Sequence, residues 1–286
     1  MAEYLRPETL AMALGILKGD ALKGAPFSVL AGGTDFYPAR VGPALDENLL
    51  DISALNTLRG IDEQPDHWRL GALTTWSDII RADMPPSFDG LKLAAREVGG
   101  VQIQNRGTLG GNLCNASPAA DGVPPLLSLG ALVELSSASG VQILTLGDFI
   151  LGARKTALQA DQLLTALIIP KPRTAHAAGH FVKLGARKYL VISIVMLAAN
   201  IEIDDAGKIS AARVAAGACS EIACRLPALD DALVGAPCNA RLGEIAMAAH
   251  LMPLAPLDDL RGTAEYRRDA ALVLLRRLLN ELGARA

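Results

Sequence analysis

Cysteine is scarce: Cys114, Cys219, Cys224 and Cys238 are the only four in 286 residues, and no two form a C-x-x-C pair. That excludes a disulfide scaffold and a cysteine-ligated iron–sulfur cluster in this chain, and it fits a reducing compartment. Long hydrophobic runs are also lacking. The longest, Tyr189 to Ile203, is broken by Ser193 and Asn200 and falls short of a bilayer span. The opening MAEYLRPETL has no basic head followed by an apolar core, so no secretory signal is expected. Positive charge is not in excess either, with a formal net charge of −3 and a pI near 5.8. A nucleic-acid or membrane partner is therefore not expected, and the chain reads as soluble and cytoplasmic. Any bound phosphate must be held by local groups, since no bulk field would attract it.

The usual nucleotide signatures are missing too. No G-x-G-x-x-G follows a strand, which removes a Rossmann site. Gly19 and Gly24 have the spacing of a phosphate loop, but Ala25 and Pro26 stand where Lys and Ser/Thr are required. His176 and His180 are spaced for a helical metal pair, yet the zinc-protease Glu is absent and a metal is not expected.

What is present is a pair of glycine-bearing stretches, each rich in small and polar residues. Gly99 to Gly130 contains Gly107, Gly110 and Gly111 among Asn105, Thr108, Asn112, Asn115, Ser117 and Asp121. Glycines let a backbone approach a bulky anion, and consecutive N–H groups in a turn can cradle one. Such a stretch alone equally suits a surface connection. Ser28 to Arg40 supplies the second: an apolar strand breaks at Gly32 and Gly33, followed by Thr34 and Asp35. Two such loops could clamp one dinucleotide diphosphate from both sides. Cys114 either touches that ligand or is a small buried apolar residue.

Periodicity places helices at Thr9–Lys18, from Thr75 on, Leu91–Val98, Pro124–Leu129, Leu226–Val234, Leu242–Ala249 and Ala264–Leu282. Strands are expected at 27–31, 48–52, 68–74, 131–136, 141–146, 163–169, 181–184, 191–203 and 209–216. In the last helix, Tyr266, Ala270, Val273, Leu274 and Leu278 should form the inward face. Pro170-Lys-Pro-Arg173 is the best linker, and strands followed by helices indicate an α+β chain.

The motifs AGGTD at 31–35, TLGGN at 108–112 and ASPAAD at 116–121 resemble the FAD-binding (medium) subunit of the molybdenum hydroxylases, the xanthine dehydrogenase family. The likeness continues through KLGARKYLVISIV at 183–195 and DDLRGTAEYRR at 258–268, so it spans nearly the whole chain. It implies an FAD-binding domain of the vanillyl-alcohol oxidase (PCMH) type over residues 1–172, built of two α+β subdomains. A C-terminal domain of a small antiparallel sheet plus helices would follow over 173–286. By the same resemblance, Leu30, Ala31, Gly32, Gly33, Thr34 and Asp35 run along the FAD diphosphate with Thr108, Gly111 and Asn112. Ser117 adds a polar group, Asp121 approaches the ribityl or adenosine part, and Val98 and Leu164 pack around the cofactor. Ile192 lies near the flavin ring, with Tyr189 and Leu190 as competitors for that place. Lys183 would set a cation beside the ring, which stabilises reduced flavin. The family picture assigns molybdopterin to a large partner subunit and [2Fe-2S] clusters to a small one, with NAD+ or another acceptor taking the electrons. No catalytic side chain is expected here. A free-standing flavin reductase or oxidase on the same fold, and a non-catalytic nucleotide-binding module, are the alternatives.

Overall fold

The computed structural model describes residues 2–23, 27–40, 47–188 and 190–285. The chain begins with a parallel three-stranded sheet of β1 (Tyr4–Leu5), β2 (Phe27–Leu30) and β3 (Asn48–Asp51), in the order β1-β3-β2. Helix α1 (Leu10–Lys23) covers it, with Ala13, Leu14 and Leu17 packing in one cluster with Leu50 and Ile52. The helix runs one turn past the expected stop at Lys18. Gly19 has open space around it, so its only penalty is the intrinsic one of about 1 kcal/mol, too small to end a packed helix.

A five-stranded antiparallel sheet follows: β4 (Ile61–Glu63), β5 (His67–Gly71), β6 (Leu132–Ser137), β7 (Gly140–Thr145) and β10 (Leu163–Pro170), in the order β4-β5-β10-β6-β7. Sharing a core with it are α2 (Trp76–Arg81), α3 (Asp89–Glu97), α5 (Leu109–Asn115), α6 (Val123–Ser128) and α7 (Leu146–Phe149), while α4 (Val101–Gln104) lies against α2. A small hairpin of β8 (Ile150–Gly152) and β9 (Lys155–Thr156) follows α7. Trp76, Phe88, Leu91, Leu113, Leu126 and Phe149 fill the core under this sheet. Leu164 belongs to that same core. In the stretch 99–130 the expected helix at Pro124–Leu129 is present as α6, and α4 and α5 are two further short helices where the sequence reads as loop. The glycines of this stretch break the apolar periodicity without breaking the backbone hydrogen bonding.

The C-terminal part is an antiparallel sheet of β11 (His176–Leu184), β12 (Val195–Ile203), β13 (Ile209–Gly217) and β14 (Cys224–Arg225) with α8 (Pro227–Leu233) and α9 (Ala264–Arg285). β12 starts at Val195, four residues later than expected, because the segment before it turns through Leu190 at φ +51°. Residues 242–249, expected as one helix, are two 3-10 turns, Leu242–Ile245 and Ala248–Leu251. The inward face of α9 is also rotated from the expected one: Arg267, Ala271, Leu275, Leu278, Leu279 and Leu282 are buried, while Val273 is 68% exposed and Tyr266 is half-exposed. The buried Arg267 accounts for the difference, since its two terminal guanidinium nitrogens donate to Ile194 O, Ala218 O and Asp259, which a hydrophobicity pattern cannot show. His176 and His180 lie on strand β11 and not on a helix, and His180 Nε2 is 2.7 Å from Glu281 Oε2.

The two parts meet where α3 lies on β11, around Ala94, Phe181, Met196 and Ala198. Glycine permits the close approach: a Cβ at Gly179 would fall onto the carbonyl of Ser87, and one at Gly90 would sit 3.0 Å from the carbonyl oxygen of His180. No helix among the described residues is long and apolar enough to cross a membrane.

Candidate functional site

β2 ends at Leu30, whose carbonyl accepts the N–H of Ile52 at 3.0 Å, and the chain then turns through Ala31, Gly32 and Gly33. Gly33 sits at φ +73°, a conformation that favours glycine. A Cβ at Gly32 would fall onto the carbonyl oxygen of Arg106 and within 2.8 Å of its carbonyl carbon. The two glycine-bearing stretches, far apart in sequence, thus touch backbone to backbone at Gly32. Beyond that contact, the N–H groups of Gly32, Gly33, Thr34 and Asp35 have no acceptor among the described residues.

The second stretch is held against the five-stranded sheet. Leu109 donates to Thr74 at 3.0 Å and Gly110 to Ala72 at 2.8 Å. Thr108 caps α5 by accepting the Gly111 N–H at 3.0 Å. The N–H groups of Leu109, Gly110, Gly111 and Asn112 are therefore already hydrogen-bonded. The glycines divide accordingly. Gly110 is needed for packing, since its Cβ would meet that of Ala72 at 2.9 Å. Gly111 has only Thr108 Oγ1 near it and otherwise faces open space. Trp76, fixed by the Thr75–Asp78 capping box and by donating to Gly107 at 3.2 Å, forms the floor.

Between the stretches lies a groove of about 410 Å³, within the ordinary range for small-molecule sites of about 300–1,000 Å³. The structure brings Ala31, Gly32, Gly33, Thr34, Asp35, Val98, Thr108, Gly111 and Asn112 onto its walls, together with Cys114 and Asn115. Phe36, Arg40, Trp76 and Ile103 line it as well and carried no sequence signal of their own. Among the described lining side chains, Asp35 and Arg40 are the charged ones. Arg40 is committed elsewhere: it stacks 3.7 Å over Phe36 and pairs with Glu47, holding that carboxyl below the usual range. Asn112, whose amide oxygen is buried without a donor beside Gly122, also lines the groove. The walls thus offer backbone and amide donors with little net charge, the arrangement of a nest for an anion carried by a larger molecule.

The other sequence-indicated residues lie off the groove. Leu30 is buried at the strand end, Leu164 is in the core, and Ser117 accepts the N–H of Ala119 at 3.3 Å. Ile192 is 54% exposed on the surface beyond, Leu190 is also exposed, and Tyr189 falls outside the described residues. Lys183 and Asp121 are spent on each other: Nζ lies 2.8 Å from Asp121 Oδ2 and 3.4 Å from the Glu97 carbonyl, and Ser193 donates to Asp121 Oδ1 at 2.6 Å. Burial pushes the Asp121 carboxyl up, against the pull of that ammonium and hydroxyl.

A family model described as the FAD binding domain in molybdopterin dehydrogenase matches residues 1–172. A second, the CO dehydrogenase flavoprotein C-terminal domain, matches residues 180–282. The chain belongs to the molybdopterin dehydrogenase FAD-binding family. It is a FAD-binding flavoprotein of the xanthine dehydrogenase-like oxidoreductases, with an α+β fold. It is 35% identical to the nicotinate dehydrogenase FAD-subunit of Eubacterium barkeri, over 82% of this chain and 80% of that one. It is 30% identical to the putative xanthine dehydrogenase FAD-binding subunit of Escherichia coli strain K12, over 100% and 97%. In three dimensions it is similar to a chain of carbon monoxide dehydrogenase from Hydrogenophaga pseudoflava, with a TM-score of 0.88 at 27% identity over 98% and 96% of the two chains. The lining of the groove fits an FAD cofactor: glycines leave room at Gly32, Gly33 and Gly111, N–H groups at 32–35 have no acceptor among the described residues, and apolar Val98 and Ile103 line the same groove.

Proposed function

We propose that this chain is the electron-transfer medium subunit of a heteromeric molybdenum hydroxylase and works in the cytoplasm. Electrons would arrive from [2Fe-2S] clusters of a small subunit, downstream of a molybdopterin-binding large subunit, and leave to NAD+ or another acceptor. When bound, FAD would supply exchange between one-electron and two-electron carriers. The chain's own residues bind and orient. In this reading the N–H groups of Gly32 to Asp35 hold the diphosphate, Gly111 leaves it room, and Asn112 and the Thr108 hydroxyl donate from the opposite wall. Trp76, Val98 and Ile103 keep water from that side. The division into a cofactor-binding domain over 1–172 and a second domain over 173–286 belongs to the same proposal.

The observation that supports the assignment is the run of N–H groups at Gly32–Asp35 without an acceptor among the described residues, beside a backbone contact between the two glycine stretches. Reconstitution tests it. The purified chain, alone or with its co-purified subunits, should take up one FAD and turn yellow, and a folded, colourless protein that rejects FAD would overturn the reading.

A further inference from the structure

Among the described residues the C-terminal part places none on the groove, yet it reaches both walls through one buried polar cluster. The geometry points to Lys183 and Asp121 as a positioning pair that fixes the two walls of the groove, with Lys183 acting on the wall backbone and not on the ligand. This inference rests on the FAD reading of the groove.

The Lys183 side chain is 4% exposed and that of Asp121 is 11% exposed. Lys183 Nζ reaches across the seam from β11 to the carbonyl of Glu97, the last residue of α3. The next residue, Val98, lines the groove, and the chain then turns through Gly99 at φ +52° against Ile103, which lines it too. Asp121, the other half of the pair, directly precedes Gly122. A Cβ at Gly122 would stand 2.9 Å from Asn112 Oδ1, so the Asp121 turn underlies the opposite wall. On the far side, Ser193 donates to Asp121, and Arg267 donates to the carbonyl of Ile194 at 2.7 Å. A buried ion pair contributes little net stability, because desolvation offsets its attraction, but it fixes geometry. Here the geometry it fixes is the gap between Val98 and Asn112.

The test is the double variant Lys183→Met with Asp121→Asn, which removes both charges and keeps the volume. Its thermal midpoint should stay near that of the wild type while FAD binds about tenfold more weakly, within the roughly 5- to 150-fold span of ordinary site coupling. Because the pair acts on the wall, oxidised and reduced flavin should weaken equally and the midpoint potential of bound flavin should not move. Wild-type FAD affinity in the double variant would overturn the inference. So would a shifted midpoint potential, which would mean that Lys183 acts on the flavin directly. Should the double variant fail to fold, Ser193→Ala decides: weaker FAD binding at an unchanged thermal midpoint supports the pair, and unchanged binding refutes it. A wild-type chain that rejects FAD contradicts the cofactor assignment itself, a result distinguishable from all of these.

Discussion

Gly32→Ala perturbs the contact on which the groove is built. The added carbon would lie 2.8 Å from the Arg106 carbonyl carbon and 3.1 Å from Gly107 Cα, besides falling onto the Arg106 oxygen. Carbon atoms rest about 3.5–4.0 Å apart, so the two stretches must separate by about 1 Å. Overpacking of that kind costs about 1–3 kcal/mol of stability. The larger effect falls on the ligand, because the N–H groups of Gly32 and Gly33 move with the loop. Hydrogen bonds to charged groups contribute about 1.5–3 kcal/mol each, so misaligning one predicts about 10- to 150-fold weaker FAD binding. The assay is titration of apoprotein with FAD, followed by quenching of flavin fluorescence, beside a urea denaturation curve. Binding within twofold of wild type, in a folded variant, would refute the claim that the Gly32 contact shapes the site.

Gly19→Ala should stabilise the protein by about 0.5–1 kcal/mol and leave FAD binding alone, since the helical Gly19 faces open space; urea denaturation checks it. Arg267→Met removes the donor to Ile194 O, Ala218 O and Asp259 at 2.7, 2.9 and 2.6 Å, and should cost about 3 kcal/mol in the same assay. His180 is held below its ordinary pKa by burial, with the Glu281 carboxylate 2.7 Å away opposing the shift. A lowered histidine pKa means the unfolded chain binds the proton first. Stability should therefore be full above about pH 6.5 and fall as the pH drops below it, and His180→Leu should flatten that fall between pH 7.5 and pH 5.5.

Much of the fold was legible because short-range chemistry decided it. The Thr75–Asp78 capping box and the apolar run of β10 appear where the sequence puts them, and the β6–β7 hairpin turns at Ala138–Ser139, one residue before the glycine that signals it. The pairing of the two glycine stretches was legible because there are two of them: either alone suits a surface connection, and together they can meet with bare backbone, as they do at Gly32 and Arg106. The division of labour between them was not. Whether an N–H is free depends on what lies opposite, and Ala72 and Thr74, which occupy the second stretch, are remote in pattern though near in space. The same holds for Lys183 and Arg267, whose buried cations are explained by acceptors on other elements. Arg40 and Trp76 line the groove through tertiary placement alone.

The central claim is that the N–H groups of Gly32 to Asp35 receive the FAD diphosphate. Hydrogen–deuterium exchange of the wild-type chain, with and without saturating FAD, measures those amides directly. The account predicts that peptides covering residues 31–36 exchange much more slowly once FAD is bound, with a smaller change across 108–112, where the amides are already hydrogen-bonded. Saturating FAD binding that leaves exchange at 31–36 unchanged would contradict it.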